Sequence, residues 1–595
     1  MSTFGRFLLN EILPGTHGVA TALDKKGITN KLTQLAREDR AQYVDTVSRL
    51  KRLGDEISTL EGVSVGLDDI APDYKTRDPI MREAIAGMKK ARTKDEREAV
   101  IIKAQDKIMA HTKGHAGSMT QMALTGARGN IPQLMKIVAS PVAAADAKGQ
   151  LDPFLITRAY SQGLTPGQYW VTGNEARINT VKSTTSVSEP GDIAKVFVNT
   201  LYPFTVTEKD CGTHNGIDVP SGDSSALGRY LARDTGGHPR NTLITKALLG
   251  ALKTKHPKIH VRSPMTCDMG AGVCSKCQGL DENLSPHAVG VNVGVRAAQA
   301  LSEPLTQMTL SAKHGVRILK AGAPKLEGIA GVRQLLEVPQ SFMHKAALAQ
   351  HHGTVTKVEA APHGGTYIFV DKTQHYVGPG LAPKVHAGAK VEAGDVLSEG
   401  IPKPDEVVKF KGIGRGRTYL VDVLTDAYKG GGVSLDRRHL ELLARANIGH
   451  VKLLDSHGSL LKGDVIPYAQ YRKVLTEDTH RLQTQNAVGH ILAADHGDHT
   501  IGTEITPTVA DALRKQGLTH LTVAKDPPHA EFIVKPVTRT PLLDPDWLAR
   551  LSHRYLKDSV LKDAQFGQTS DIHSTHPVPA YAHGAEFGDG FQGRY

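Results

Sequence analysis

Cysteine is scarce in this chain, which has only four among 595 residues. So few cysteines cannot form a disulfide scaffold, and a fold of this length must be held together by buried cores. Three of the four lie within eleven positions of one another. This grouping favours metal binding over redox chemistry.

Long apolar runs are also lacking. The sequence has no stretch of about 18 apolar residues, the length needed to cross a bilayer. Residues 1–14 do not follow the basic, apolar, small-residue order of a signal peptide. We therefore expect a cytosolic protein without a membrane partner.

Positive charge is in excess, with 72 Lys and Arg against 61 Asp and Glu and a formal net charge of +11. This balance favours a polyanionic partner such as nucleic acid over a merely soluble basic enzyme. The length predicts several domains. No internal repeat of fixed period and no low-complexity tract is apparent in the sequence.

Local patterns predict the organisation of the chain. Helical spacing of apolar residues among many charges predicts exposed helices over 27–106, including an antiparallel pair. Residues 63–70 have the pattern of a short strand running into a turn. Residues 189–191, Glu-Pro-Gly, predict a kink or break in one helix spanning 163–200. Alternating apolar residues separated by glycine and proline predict a small β-rich module over 353–395.

The clustered cysteines form a C-x6-C-x2-C pattern: Cys267, Cys274 and Cys277. Thiolate sulfur suits Zn²⁺, and a C-x2-C turn can present two sulfurs to one ion. A structural site usually needs a fourth ligand, which is either the distant Cys211 or a histidine such as His214 or His260. Four thiolates would leave no open position, so such a zinc would be structural. The competing interpretation is a set of unrelated buried thiols.

A long run after the cysteines carries a family resemblance. Residues 290–314, GVNVGVRAAQALSEPLTQMTLSAKH, resemble the start of the trigger loop in the β′ (largest) subunit of multisubunit DNA-dependent RNA polymerases. Residues 125–130, TGARGN, resemble the F-loop region of that family, and residues 163–217 resemble its bridge helix and the zinc ligand that follows. The match covers residues 3 to about 475 and implies the C-terminal part of β′.

The resemblance implies a multidomain α+β fold with a long bridge helix, trigger-loop helices, a structural zinc site, a small β-rich module and a mixed C-terminal region. The expected domains are a helical funnel-like region (1–110), an F-loop-like region (111–162), the bridge helix (163–204), the zinc-binding region (205–289), the trigger loop with its flanking helices (290–340), the β-rich module (341–415), a jaw-like or clamp-base-like region (416–565) and a tail (566–595).

The family's reaction is attack of the RNA 3′-hydroxyl on the α-phosphate of a nucleoside triphosphate, assisted by two Mg²⁺ ions. Three aspartates of a D-F-D-G-D motif hold the first magnesium, and this motif does not occur in the sequence. Asp495 and Asp498 have the wrong order to replace it. The resemblance therefore implies a chain that is inactive alone and works with a chain carrying the triad.

Site residues follow from the matched positions. In the family's terms, His314 faces the β-phosphate, Leu310 packs against the nucleotide base and Arg128 reaches the triphosphate. Gln307 and Thr309 match the family residues that precede the base contact. The matched bridge-helix positions are Arg177, Ser183 and Thr184, and the expected zinc ligands are Cys211, Cys267, Cys274 and Cys277. Two departures, Ser311 and Lys313, replace the family's arginine and aromatic residue.

The expected partners are a triad-bearing β′ N-terminal-type chain, β-type chains, template DNA, the RNA transcript and nucleoside triphosphates. Only thirteen residues separate His314 from Gly328, which excludes the long trigger-loop insertion of cyanobacterial and plastid enzymes. This favours the split polymerase of a giant tailed bacteriophage, in the cytoplasm of the infected cell or in the virion. The alternatives are a non-catalytic zinc-containing nucleic-acid-binding transcription factor and a degraded, inactive paralogue.

Overall fold

The computed structural model describes residues 3–13, 18–19, 23–62, 64–146, 151–185, 188–253, 255–270, 272–311, 328–362, 364–430, 433–543, 565 and 567. The chain divides into two compact units. The first comprises residues 1–186 and 311–320, and the second comprises residues 187–310 and 321–595.

The described part of the first unit is helical. Its α-helices are α1 (Phe4–Ile12), α2 (Lys25–Glu38), α3 (Arg40–Glu61), α4 (Tyr74–Lys90), α5 (Lys94–Thr112), α6 (Ser118–Thr125), α7 (Ile131–Val138) and α8 (Pro166–Thr185). A capping box starts α5, in which Thr93 and Glu96 each satisfy a free backbone N–H of the other. Helices α4 and α5 are joined by a short loop and pack together. Both follow residues 63–70, so the predicted pairing of helices across that segment stays a prediction.

Helices α4, α5 and α7 build the core of the first unit. Buried side chains such as Met81, Ile101 and Leu134 meet there. Helix α8 is held on the same unit by a Lys136–Glu175 ion pair of 3.0 Å, in which Glu175 is buried. Most of α2 and α3 is exposed, as the charge-rich sequence predicts.

Of the short strand running into a turn that was predicted over 63–70, the turn is confirmed by the 3₁₀ turn Asp68–Ile70, but the described residues 64–67 form no strand. The Asp69 carboxylate accepts hydrogen bonds from the Gly66 N–H (2.9 Å) and from the Ser118 N–H (2.9 Å). An aspartate that bonds nearby backbone in this way stabilises a turn in place of a strand.

The second unit contains the remaining described helices: α9 (Ser188–Leu201), α10 (Lys246–Lys253), α11 (Ser275–Gln278), α12 (Val293–Ser311), α13 (Gly328–Glu337), α14 (Pro404–Gly430), α15 (Arg437–Asn447), α16 (Tyr468–Glu477) and α17 (Pro507–Lys515). Its strands are β1 (Val206–Glu208), β2 (Ile217–Pro220), β3 (Lys258–Val261), β4 (Val273–Cys274), β5 (Gly353–Ala360), β6 (Thr366–Val370), β7 (Thr373–Val377), β8 (Lys390–Val391), β9 (His450–Leu453), β10 (Val465–Pro467), β11 (Thr479–Gln483), β12 (His520–Ala524) and β13 (Ala530–Ile533).

The break predicted at Glu-Pro-Gly is not found, because residues 189–191 all lie within helix α9 (Ser188–Leu201). Ile193, Phe197 and Leu201 of α9 are buried in the core, and such packing supports a helix despite a proline. Residues 186–187, between α8 and α9, lie outside the described residues, and the kink stays a prediction.

Strands β5 to β8 form the predicted β-rich module, an antiparallel sheet in the order β7-β6-β5-β8. Val355, Ile368 and Val370 are fully buried inside it and form its own core. The largest core of the unit lies elsewhere and includes side chains of α9, α12, α13, α14 and α15.

The second unit contains an internal repeat, so the expectation of none is wrong. Residues 228–253 and 489–514 align without a gap, and 11 of the 26 aligned positions are identical. Each copy has a hairpin followed by a helix, α10 or α17, and each then leads into an edge of a two-stranded antiparallel sheet, β2-β3 or β11-β12.

Backbone hydrogen bonds repeat at equivalent positions. The Gly228 N–H donates to the Ile244 carbonyl (3.1 Å), and the Gly489 N–H donates to the Ile505 carbonyl (2.9 Å). The Asp234 carboxylate accepts from the Arg240 N–H (2.7 Å) as Asp495 accepts from the Ile501 N–H (2.8 Å). The repeat escapes a sequence scan because its copies lie far apart and many identical positions are small or turn-forming residues, which occur widely.

Candidate functional site

Four cysteines lie together in the second unit. Their Sγ atoms all lie within 4.8 Å of one another, with 3.7 Å from Cys211 to Cys277 and 3.7 Å from Cys211 to Cys267. Tetrahedral Zn²⁺ with bonds of about 2.3 Å would place its sulfurs about 3.8 Å apart. The cluster thus has the size of a four-thiolate metal site.

Local structure explains how distant cysteines meet. Strands β1 and β4 pair in parallel, which brings the loop after β1, with Cys211, beside Cys274. A 3₁₀ turn over Pro264–Thr266 presents Cys267, and Cys277 lies in α11. Backbone N–H groups also point at sulfur: Cys274 N–H lies 3.4 Å from Cys267 Sγ and Cys277 N–H lies 3.3 Å from Cys274 Sγ. Such donors favour thiolates.

The two histidines considered as fourth ligands have other contacts. His260 Nδ1 lies 2.8 Å from an Asp218 carboxylate oxygen. His214 contacts the Arg240 guanidinium. Of the three candidates for the fourth position, Cys211 is the one whose ligand atom lies with those of the other three cysteines.

Arg262 supports the cluster and was not singled out by the sequence. Its side chain is fully buried, and its Nη2 lies 3.2 Å from Cys211 Sγ, 3.5 Å from Cys274 Sγ and 3.2 Å from Cys277 Sγ. Among the described contacts of the Arg262 guanidinium, none is a hydrogen bond to Cys267. The guanidinium therefore caps the face formed by three sulfurs and leaves the centre of the cluster free for an ion.

A second layer of polar groups fixes Arg262. Its Nη1 donates to Asp210 (2.7 Å) and to Asn241 (2.9 Å). Burial acts to raise the pKa of Asp210, but hydrogen bonds from Lys276, the Gly212 N–H and Arg262 outweigh it and lower that pKa to about 2. Asp210 is therefore a carboxylate at neutral pH.

A buried ion pair adjoins Arg262 and was also missed. Arg229 donates to both Glu441 carboxylate oxygens, at 2.7 and 2.9 Å, and the Ser263 hydroxyl donates to the same carboxylate at 2.5 Å. Burial acts to raise the pKa of Glu441, but the facing Arg229 lowers it below its usual range. The pair ties the cysteine region to α15, and no local sequence signal announces it because its partners are far apart in the chain.

The predicted trigger-loop residues are only partly described. His314 lies outside the described residues. Thr309 and Leu310 belong to the last turn of α12, but their side chains are not described. Gln307 is exposed and donates to Glu303 at 3.3 Å. Helix α12 is anchored to α14, because the buried hydroxyl of Tyr428 in α14 donates to the Leu301 carbonyl in α12 at 2.9 Å.

The other predicted active-site residues lie in the first unit. Arg128 is exposed in a turn after α6, between Gly126 (φ 75°) and Gly129 (φ 70°), which adopt the left-handed conformation that favours glycine. Arg177 is exposed on α8, where it contacts Asn174 at 3.5 Å. Ser183 and Thr184 lie in α8, and their side chains are not described. The grouping of these residues with the trigger-loop residues stays a prediction.

Asp495 and Asp498 have structural contacts. Asp495 closes the second-copy hairpin through the Ile501 N–H and pairs with Arg472 at 2.7 Å. Asp498 accepts from the Thr418 hydroxyl at 3.0 Å, and burial raises its pKa. This agrees with the sequence-based conclusion that they do not replace the triad.

Comparison with known proteins identifies the family to which the chain belongs. The family model RNA polymerase Rpb1, domain 5, matches residues 163–464, just over half of the chain. The chain belongs to this family. The RNA polymerase match includes all four clustered cysteines, helices α12 and α13, and the whole of the β-rich module.

Curated relatives of this RNA polymerase chain carry the name DNA-directed RNA polymerase subunit beta′. The protein of Tropheryma whipplei is 27% identical over 520 residues, covering 80% of this chain and 40% of its own length. That of Heliobacterium modesticaldum is 27% identical over 525 residues, covering 79% and 44%. The chain thus spans about two fifths of these relatives, and the predicted likeness to the C-terminal part of β′ is confirmed.

The described helices include none long and apolar enough to cross a membrane.

Proposed function

We propose that this chain is the β′ C-terminal part of a multisubunit DNA-dependent RNA polymerase and supplies its trigger loop and bridge helix. The supporting observation is the family match over residues 163–464, which contains the 290–314 run. Helix α12 ends just before residues 312–327, which include His314, and α13 begins just after them. A lid that closes over a bound nucleotide excludes water and aligns the reacting groups.

The proposed lid residues have separate tasks. His314 donates a hydrogen bond or positive charge to the phosphate that leaves with pyrophosphate. Leu310 packs against the base, while Gln307 and Thr309 position the nucleotide. Arg128 contacts the triphosphate with a planar guanidinium. Arg177, Ser183 and Thr184 line the bridge helix beside the nucleic acid.

The catalytic Mg²⁺ is proposed to be held mainly by a partner chain with the aspartate triad. That ion would stabilise the attacking and leaving oxygens. The remaining partners are β-type chains, template DNA, the RNA transcript and nucleoside triphosphates. A separate triad-bearing chain, in the infected cell or in the virion of a giant bacteriophage, is the proposed arrangement. Mass spectrometry of the purified complex distinguishes it from a single longer chain.

Zn²⁺ is the proposed occupant of the four-cysteine cluster. The sulfur spacing, the backbone N–H donors and the Arg262 cap fit an ion with four thiolate ligands. A closed set of four ligands leaves no position for substrate, so this zinc would stabilise the fold around α11 and β4.

Nucleotide incorporation on a primed RNA–DNA scaffold tests the proposal. The reconstituted complex is compared with complexes carrying His314→Ala and His386→Ala, the second a control at an exposed histidine of the β-rich module. We expect His314→Ala to lose about tenfold or more in rate with the complex intact, and His386→Ala to be unchanged. An unaffected His314→Ala rate would contradict the role of His314. If a wild-type complex that includes the triad-bearing chain incorporates no nucleotide, the result favours one of the two alternatives: a non-catalytic nucleic-acid-binding transcription factor or an inactive paralogue.

A further inference from the structure

A cavity of about 640 Å³ lies within the second unit. Its wall includes the end of α9, the loop that carries Cys267, the end of α15 and the start of α16. The second-copy hairpin contributes Asp495 and Asp498 to the same wall. Its volume falls in the range of roughly 300–1,000 Å³ that is usual for small-molecule sites.

Arg417 is a buried cation in this wall, with 8% of its surface exposed. Its Nε donates to the Ile448 carbonyl (2.9 Å) and its Nη1 to the Met265 carbonyl (3.0 Å). The guanidinium carbon lies 5.5 Å from the centre of the Tyr468 ring. Among the described residues, Arg417 forms no direct ion pair with a carboxylate, and Asp495 of the same wall acts on it only through space.

Arg445 is a second cation of the wall and is partly exposed. Its guanidinium donates to the carbonyls of Pro264 (3.0 Å) and Met269, and none of its described contacts is an ion pair. Burial first, and then the neighbouring charge of Arg445, lower the pKa of Arg417 to about 9. Two guanidinium groups thus repel each other in a poorly solvated place.

The acidic residues of the wall are committed elsewhere. Arg472 pairs with Asp268 at 3.0 Å and with Asp495 at 2.7 Å, which accounts for both carboxylates. Asp498 accepts from the Thr418 hydroxyl and forms an ion pair with Arg415 at 3.9 Å. With Lys473 also in the wall, the cavity keeps an excess of positive charge.

We propose that this cavity binds a small anionic ligand whose phosphate or carboxylate group lies against Arg417 and Arg445. Burying a cation without a counter-charge is costly, and an incoming oxyanion removes that cost. Guanidinium groups match phosphate and carboxylate oxygens in shape and in hydrogen bonding. Because Arg417 is almost fully buried, a terminal group that enters the cavity can reach it, whereas the backbone of a duplex cannot. The site is independent of the proposed trigger-loop chemistry.

Isothermal titration of the full chain tests this site, with inorganic pyrophosphate and citrate as probes at constant ionic strength. The variants are Arg417→Gln, Arg445→Gln and, as a matched control, Arg514→Gln at an exposed arginine paired with Asp511. We expect saturable binding of at least one probe, weakened about tenfold or more by either cavity variant and unchanged by the control. The preferred probe tells whether phosphate or carboxylate is the natural group.

Three results would overturn the proposal. One is no saturable binding of either probe to the wild-type chain up to roughly 10 mM. Another is equal affinity in all the variants. The third is stronger competition by single-stranded DNA than by any small anion, which would assign the charges to a polymer. Should Arg417→Gln fail to fold, Lys473→Gln replaces it, since Lys473 is exposed and its charge is expected to aid binding without a packing role.

Discussion

Arg229 and Glu441 form a two-point ion pair in which both side chains are completely buried, although 212 positions separate them in the chain. Two charges removed from water are tolerated only while each satisfies the other, and Ser263 satisfies the carboxylate further. The pair therefore fixes α15 against the segment that leads to the cysteines.

The first prediction concerns this pair. Glu441→Gln leaves Arg229 buried without a counter-charge, so we expect the free energy of unfolding to fall by about 3–5 kcal/mol. Chemical denaturation of the full chain measures it. The control Asp511→Asn breaks the exposed pair with Arg514 and should cost no more than about 0.5 kcal/mol. Equal losses in the two variants would show that burial does not set the strength of the pair.

The second prediction concerns metal content. We expect the purified chain to contain about one zinc ion, and Cys211→Ser to lose it, because three thiolates do not complete a structural site. His214→Ala and His260→Ala should keep the metal. Elemental analysis by mass spectrometry decides the matter. If Cys211→Ser kept the zinc and one of the histidine variants lost it, that histidine and not Cys211 would be the fourth ligand.

The third prediction concerns Arg262. Replacement by glutamine removes the positive charge that faces three sulfurs, and changes of this kind next to metal ligands typically lower affinity by about 10–100-fold. Competition with a chromogenic chelator measures the rate and extent of zinc release. Arg233→Gln, at an exposed arginine of the neighbouring hairpin, is the control. Identical release from both variants would mean that Arg262 only fills space.

The fourth prediction concerns acid. Burial, followed by repulsion from Arg415, lowers the pKa of His499 from 6.5 to about 4. The unfolded chain therefore takes up a proton before the folded chain does, and stability falls as pH drops from about 6.5 towards 4. At pH 5 this group should cost on the order of 1–2 kcal/mol.

His499→Asn removes the titrating group and should flatten the dependence of the unfolding midpoint on pH between about 4 and 6.5. His529→Asn alters an exposed histidine and serves as the control. Unfolding curves across this pH range provide the comparison. An unchanged slope in His499→Asn would assign the acid sensitivity to other groups.

Local sequence patterns predicted the β-rich module and the grouping of Cys267, Cys274 and Cys277, whereas the distant Cys211 followed only from the family resemblance. Alternating apolar residues define a sheet face, and C-x2-C defines a metal turn. The Arg262 cap and the Glu441 pair were missed, since a charged residue in a sequence is normally a surface residue and only tertiary packing buries it. In the strand and turn predicted at 63–70, the turn formed but the described residues 64–67 form no strand, because Asp69 bonds the backbone around it. The break predicted at 189–191 is not found, because the packing of α9 in the core retains the helix around Pro190.

The hairpin and the helix that follows it occur in two copies, so that each copy can be compared with the other within one molecule. Asp234 and Asp495 accept from equivalent backbone donors. Arg240, the donor to Asp234, also bonds the Gly212 carbonyl next to Cys211, whereas Asp495 lies in the wall of the cationic cavity. A change that weakens both positions equally reports on the shared framework. A substitution that has an effect at only one of the two positions acts through the residues that surround that copy. The two copies therefore distinguish the role of the shared hairpin from the role of its surroundings.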